Sequence, residues 1–577
     1  MRAILALLLI ALTVAPAAAG PRAKKVKARI ATKVAAPRTK TTIVPTDARA
    51  TIAIAGQHRM MKDLVAAKGK LSLEEQTAAA IALALRGPLR DGDTGLYVAD
   101  ARTGRPVFAV NADEAYNPAS NVKMISTATA LELLGPTFRY PTRLLGPEPD
   151  AGTVKGDIYL LGSYDPTLTA GDLGNLAQRL AARGITAIEG SIVTGPDPTR
   201  DGIYRAVVPI EIASGEPGEL ASAFVPSGAE HVSVIVNAKT AKRVMRPRLR
   251  YKVETTKNVD GRPRITVTID GTIGKGGATK YRLTTRERTA TAAYALKGAL
   301  VANGVRITGD IKTQELGDFI ADTVSRGALA SELGRHESRP LVDIITRINK
   351  WSINWLSDRV VMTAAALARR QQPSMELALD AMYAWLERHP QIPKSKLYID
   401  TGSGLSYRTR ISPTELVSIV RSAAGYSADS DPTLGKTWLS SLAVARTDGT
   451  LRNRMRGRDL DVRVRGKTGT LSTVIAMSGL LDIDPENPLV FALVTNTKRP
   501  LSKAAIRRAH DQVIGALCTY VTKTQKAPNA LVAPPVPVPV PAPRPTVEES
   551  EPAADPNDQE EVERDPLLDA ETSSGQP

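Results

Sequence analysis

Ser120-Asn121-Val122-Lys123 places a hydroxyl and an amine three residues apart. A serine hydroxyl becomes a useful nucleophile beside a base that can take its proton. At a helix start, positions i and i+3 share a face about one turn apart, so the lysine amine can reach the hydroxyl. Free backbone N–H groups and the positive end of the helix dipole would then lie next to the serine. The same four residues also read as a capping serine followed by a surface lysine.

Two further strings carry usable groups. Ser352-Ile353-Asn354 offers a hydroxyl and an amide two residues apart, able to relay a proton and hold a substrate amide, or simply to start a helix. Lys467-Thr468-Gly469-Thr470 closes a run that reads as a strand. Glycine there would let a substrate backbone pair along the strand edge, while lysine and threonine supply charge and hydroxyls for a carboxylate. The alternative is a turn signal at a strand end.

The elements that must hold these strings follow from periodicity. Gln76–Leu85 has helical spacing, Gly95–Asp100 and Pro106–Val110 read as a strand pair, and a helix runs from about Asn121 to Leu134, stopping at Gly135-Pro136. Beyond Tyr140 the texture changes. Strand-like pieces at 157–161, 190–194, 231–237, 264–269 and 280–284 alternate with short helices at 171–183 and 289–303. They suggest an inserted region of one or two smaller α/β units. Helices resume at 354–370 and 374–388. Strands follow at 462–470, 476–484 and 488–496, the last two joined as a hairpin through Asp484-Pro485-Glu486-Asn487-Pro488, and a final helix covers 502–521.

The chain of 577 residues is too long for one ordinary core, and its 42% hydrophobic content suits a folded protein. Residues 1–19 read as a signal peptide: Arg2, an apolar run from Ala3 to Val14, then small residues at 17–19. No cysteine follows that run, so a lipoprotein anchor is excluded, and a periplasmic or otherwise extracytoplasmic location is expected. The single cysteine, Cys518, rules out an intrachain disulfide and a cysteine metal cage. Residues 20–70 form a basic low-complexity stretch, with Lys24, Lys25, Lys27, Arg29, Lys33 and Arg38 and no acid between 22 and 40. Residues 524–577 read as a Pro-rich and acidic tail, with eleven acidic residues against one basic from Glu548 onward. The rest of the chain is therefore more basic than the overall +17. That favours anionic wall polymers or lipid head groups, whereas no aromatic-plus-basic platform for nucleic acid is visible.

Taken in order, the three strings are the signature of β-lactamases and penicillin-binding proteins. The likeness extends to their flanks: N-P-A-S-N-V-K (117–123), G-S-Y-D-P-T-L (162–168), I-N-K-W-S-I-N (348–354), G-S-G-L-S (402–406), D-G-T-L-R-N-R (448–454) and R-G-K-T-G-T (465–470). Over roughly Leu71 to Tyr520 the chain resembles the low-molecular-mass class C penicillin-binding proteins, which are D-alanyl-D-alanine carboxypeptidases/endopeptidases. The resemblance implies an α+β fold: a β-lactamase/transpeptidase-like domain, an antiparallel sheet flanked by helices, built from segments 71–143 and 336–523 around an insertion at 144–335.

It also implies roles. Ser120 would attack the carbonyl of the penultimate D-alanine in peptidoglycan stem peptides, with Lys123 as base. Ser352 would pass the proton to the leaving amine and Asn354 would hold the amide. Lys467 would lower the basicity of Lys123, and Thr468, Gly469 and Thr470 would bind substrate. Backbone N–H groups of Ser120 and Thr470 would form the oxyanion hole. β-Lactams would act as covalent inhibitors, and no cofactor or metal is implied.

Two departures from the family pattern stand out. Leu356-Ser357-Asp358 replaces the usual alanine–glutamate ending, and Thr401 precedes G-S-G where aspartate is common, with Asp400 one place earlier. The histidines (His58, His231, His336, His389, His510) show no H-E-x-x-H spacing, and no G-x-S-x-G elbow occurs. A metallopeptidase and an α/β-hydrolase are thus disfavoured. The remaining alternatives are a β-lactamase or esterase on the same fold, and a wall-binding protein without catalysis.

Overall fold

The computed structural model describes residues 71–525, apart from 87–88, 90–91, 195–206, 226–228, 230, 258–262, 285–287, 314–330 and 456–460. The expected signal peptide, the basic stretch and nearly all of the acidic tail lie outside the described residues.

The central element is a six-stranded sheet ordered Ala443–Val444, Arg463–Thr470, Val474–Asp482, Leu489–Thr497, Gly92–Asp100, Pro106–Val110. Every neighbouring pair is antiparallel. Strands from both ends of the described chain therefore share one sheet. The 474–482 strand is buried along its whole length and is apolar except for Ser478 and Asp482. A mostly apolar run is what a strand covered on both faces requires.

Alternation decides which layer each residue enters. Ala476, Leu480, Val490, Ala492 and Val494 face one core, shared with helices Lys123–Leu134, Leu341–Trp351, Asn354–Arg369 and Met375–Arg388. Ile475, Met477, Leu481, Phe491 and Leu493 face the other, under helices Leu73–Arg86 and Lys503–Gln525. The 123–134 helix is buried from Lys123 to Leu131, and its apolar and small residues run all the way round. Its Thr127 is pinned by Trp438 Nε1 (3.0 Å) and Asn349 Nδ2 (3.2 Å).

The hairpin at 484–488 forms as expected, with Asp484 accepting from the Glu486 amide (2.9 Å) and Asn487 Nδ2 (2.7 Å). The final helix runs to Gln525, two residues into the expected tail, because Gln525 ties back to the backbone of Ile483, Asp484 and Asn487.

Between the two segments that build the sheet, the chain leaves on Pro141–Gly146 and returns on Ser331–Glu337, and these strands pair antiparallel. This region has two cores. One joins a five-stranded mixed sheet to helices Ala170–Ala182 and Arg288–Ala302. The other is lined by strands, among them Val207–Ala213, Val232–Val236, Arg248–Lys257, Pro263–Ile273 and Ala278–Thr284.

Candidate active site

Ser120 sits in a 3-10 turn, Ala119–Val122, that runs directly into the 123–134 helix. The helix was expected from Asn121. It begins two residues later because the first turn is tighter, the Asn121 amide bonding the Pro118 carbonyl (3.2 Å) and the Lys123 amide the Ser120 carbonyl, and Ala119 opens that turn in the left-handed region (φ 46°). Asn117 Oδ1 accepts the Ala119 amide (2.8 Å), and Asn121 Nδ2 donates to the Pro118 carbonyl (2.9 Å). Asn117 is locked in turn by a reciprocal pair of bonds to Asn496 (2.8 and 3.0 Å) on the last sheet strand.

Two glycines let other backbones close around this turn. A Cβ on Gly404 would lie 2.1 Å from the Ala119 carbonyl oxygen, and one on Gly469 would lie 2.5 Å from that of Pro118. The glycine of K-T-G is thus required by packing against the serine turn, a reason separate from substrate approach.

Lys123 is completely buried. Its Nζ lies 3.0 Å from Ser120 Oγ and donates to Asn354 Oδ1 (2.5 Å) and the Ser403 carbonyl (2.7 Å). Asn354 and Ser403 thus hold the amine on two sides, with the Ser120 hydroxyl on a third. A proton can pass directly between two groups at this separation.

Ser352 and Asn354 occupy the joint between helices Leu341–Trp351 and Asn354–Arg369. Ser352 is left-handed (φ 61°), a costly conformation for a residue with a side chain and one that clusters at functional sites. Lys467, also completely buried, donates from Nζ to Ser352 Oγ (2.6 Å) and to the Thr468 carbonyl (2.8 Å). Thr468 Oγ1 donates to Thr450 Oγ1 (2.8 Å), and Thr470 Oγ1 accepts from Arg507 Nη2 (3.2 Å). The structure therefore connects the three strings: Lys123 joins Ser120 to Asn354, Lys467 joins Ser352 to Thr468, and Gly469 packs on the turn that carries Ser120.

Several partners were left without a role by sequence reasoning. Ser403, Thr450, Asp358 and Arg507 are the main ones. G-S-G and D-G-T-L were the available signals for Ser403 and Thr450; nothing local marks Arg507. Asp358 is half-buried within electrostatic reach of Lys123 and interacts with Ser403 and Gly402. Burial pushes its carboxyl above the usual range, while those interactions and the Lys123 charge pull it back. Ser126 and Ser357 both donate to the Gly402 carbonyl (2.5 and 2.9 Å). Of the departures, Thr401 caps the glycine turn by accepting from the Gly404 amide (3.0 Å). Asp400 braces the following loop through Ser406 (2.8 Å), Arg408 (3.1 Å) and Thr409 (3.2 Å).

Fold and site together define an active-serine enzyme of the penicillin-binding class, one of the low-molecular-mass class C proteins. The family model described as D-Ala-D-Ala carboxypeptidase 3 (S13) matches residues 77–199 and 196–518, and the chain belongs to that family. It is thus a serine-type D-Ala-D-Ala carboxypeptidase. A D-alanyl-D-alanine carboxypeptidase from an Actinomadura species is 28% identical over 446 residues, covering 71% of this chain and 79% of that protein. A carboxypeptidase from Mycolicibacterium smegmatis is 25% identical over 461 residues, covering 76% and 84%. The solved structure of penicillin-binding protein 4 from Haemophilus influenzae, complexed with a β-lactam, is similar at TM-score 0.58 and 18% identity. It covers 76% of this chain and 99% of that one, and at this identity the likeness speaks for the fold.

Proposed function

We propose that Ser120 is the nucleophile that cuts D-alanyl bonds in peptidoglycan stem peptides, whether the terminal D-alanine or a cross-link. The observation that carries this reading is the position of Lys123 Nζ, within reach of Ser120 Oγ and held by Asn354 and Ser403. Ser120 Oγ attacks the carbonyl carbon as Lys123 takes its proton. Ser352, beside Lys467, relays that proton from Lys123 to the leaving amine; Lys123 then takes a proton from the water that attacks the serine ester and returns it to Ser120 Oγ.

Backbone N–H groups of Ser120 and Thr470 face the developing oxyanion; a donor of this kind contributes about 3 kcal/mol in known enzymes. Thr468, Thr450 and Arg507 supply hydroxyls and a positive charge for the terminal carboxylate. Penicillin, a strained amide, acylates the same oxygen.

Residues 1–19 act as a signal peptide in this reading, and the work is done outside the cytoplasm. No helix among the described residues is long and apolar enough to cross a membrane. The basic surface of the body then meets anionic polymers of the envelope.

Incubating the purified chain with pentapeptide muropeptides and with cross-linked dimers tests the reading. Release of D-alanine or of monomers by wild type, lost in Ser120→Ala, supports it. Rapid turnover of a β-lactam with neither product favours a β-lactamase instead.

A further inference from the structure

The strand-lined unit between residues 207 and 284 carries a charge pattern unrelated to the serine site. From Ala241 to Lys252 the sequence holds six basic residues (Lys242, Arg243, Arg246, Arg248, Arg250, Lys252) and no acidic one. The Arg248–Lys257 strand pairs with Pro263–Ile273 and lies at the sheet margin. Its alternation divides it cleanly: Leu249 and Tyr251 pack on the core, so Arg248, Arg250 and Lys252 share the opposite, solvent-facing side.

Register extends that side across the sheet. Arg248 stands opposite Thr272, Arg250 opposite Asp270 and Lys252 opposite Thr268; on the next strand Ser233 lies beside Thr266. The three cations therefore run beside the hydroxyls of Thr272 and Thr268, with Asp270 between these two and Glu254 next along the same side. Lys242, Arg243 and Arg246 continue the exposed charge in the adjoining loop.

Neutralisation within the fold is slight. Lys252 meets Glu254 (3.0 Å), and Asp270 accepts from Asn237 (3.0 Å). Lys242, Arg243, Arg246, Arg248 and Arg250 make no ion pair among the described residues. Elsewhere in the same region exposed lysines are matched, as in Lys155–Asp150, Lys280–Glu211 and Lys312–Asp157.

We propose that this face docks a linear, hydroxylated polyanion of the cell envelope, a phosphodiester-linked polyol, along the Arg248–Lys252 row. Residues two apart on a strand repeat about every 6.8 Å, close to the charge spacing of an extended phosphodiester chain. The hydroxyls of Thr272 and Thr268 flank the row where the polyol would lie. A single-stranded nucleic acid would need aromatic platforms, but Tyr251 and Tyr281 stack on each other (4.1 Å) on the core side. The proposal rests on the extracytoplasmic reading above but not on the assignment of Ser120. Binding by purified protein tests it separately from either.

The probe is poly(glycerol phosphate) of defined length, titrated into the full-length chain by calorimetry at several salt concentrations. Two triple variants are compared with wild type after matched thermal unfolding: Arg248→Gln/Arg250→Gln/Lys252→Gln, and the charge-matched control Arg370→Gln/Lys396→Gln/Lys436→Gln. The expected result is salt-sensitive binding that the first variant weakens at least tenfold, lowering the slope of log K against log salt by about 2, and that the control retains. Equal losses in both variants would mean a diffuse charge effect and overturn the proposal, as would unchanged binding in the first. Tighter binding of a single-stranded oligonucleotide or of anionic phosphatidylglycerol vesicles on the same residues would overturn the choice of partner.

Discussion

Lys467 Nζ donates to Ser352 Oγ across 2.6 Å, joining two strings 115 residues apart in the chain. Ser352 reaches this position because it adopts a left-handed conformation at the joint between two helices. Lys467 reaches it from an inner strand of the sheet. The pair sets a hydroxyl beside a buried lysine two residues from Asn354, which holds Lys123, and we propose that this hydroxyl passes the proton to the leaving amine.

Ser352→Ala removes that hydroxyl without altering the joint's need for a small residue. Release of D-alanine from peptide substrates should fall by about 10²–10⁴, the usual weight of a positioned acid–base group. Acylation by a β-lactam, which keeps its leaving amine tethered, should fall less. Comparing the two rates by stopped-flow and product assay checks this, and equal losses would count against a proton-transfer role.

Gly404→Ala tests the close approach of the glycine turn to the serine turn. The position has φ +74°, and an added Cβ would lie 2.1 Å from the Ala119 carbonyl oxygen. Strain and overpacking together should cost about 3 kcal/mol or more. A lower denaturation midpoint together with slower penicillin labelling is expected, because the displaced backbone is the one carrying Ser120.

Asp165 gives a pH prediction. Burial pushes its carboxyl up to about 7, against opposing hydrogen bonds from Thr167. Its Oδ1 accepts from the Thr167 amide (2.7 Å) and hydroxyl (2.6 Å), while the buried Oδ2 has no partner and is the place for a proton. Between about pH 4 and 7 the folded chain holds a proton here that the unfolded chain has lost. This site's contribution to stability is therefore full at the acidic end and declines as pH rises, levelling off above about 7. Asp165→Asn should remove that decline, which thermal unfolding across pH 5 to 8 would reveal. A slope identical to wild type would show that the carboxyl titrates normally.

What the sequence made legible was local. The strings at 120–123, 352–354 and 467–470 could be read because the reactive residue types lie within four positions of each other. What brings them together could not. Lys123 finds the Ser403 carbonyl 280 residues away, and no local pattern marks a backbone oxygen as a partner. Gly469 was read as room for substrate, whereas its contact with Pro118 is a long-range packing demand. The Arg248–Lys257 strand was missed because arginine and lysine at alternate positions hide its period of two among charges. The hairpin at 484–488 was recognised because its turn residues are contiguous.

Penicillin adduct mapping tests the central claim most directly. The full-length protein is treated with a β-lactam, digested and sequenced by mass spectrometry, beside Ser120→Ala and Lys123→Ala. The account predicts one adduct, on the Ser120 hydroxyl, absent in Ser120→Ala and formed at least a hundredfold more slowly in Lys123→Ala. An adduct on any other residue, or one that persists in Ser120→Ala, would contradict it.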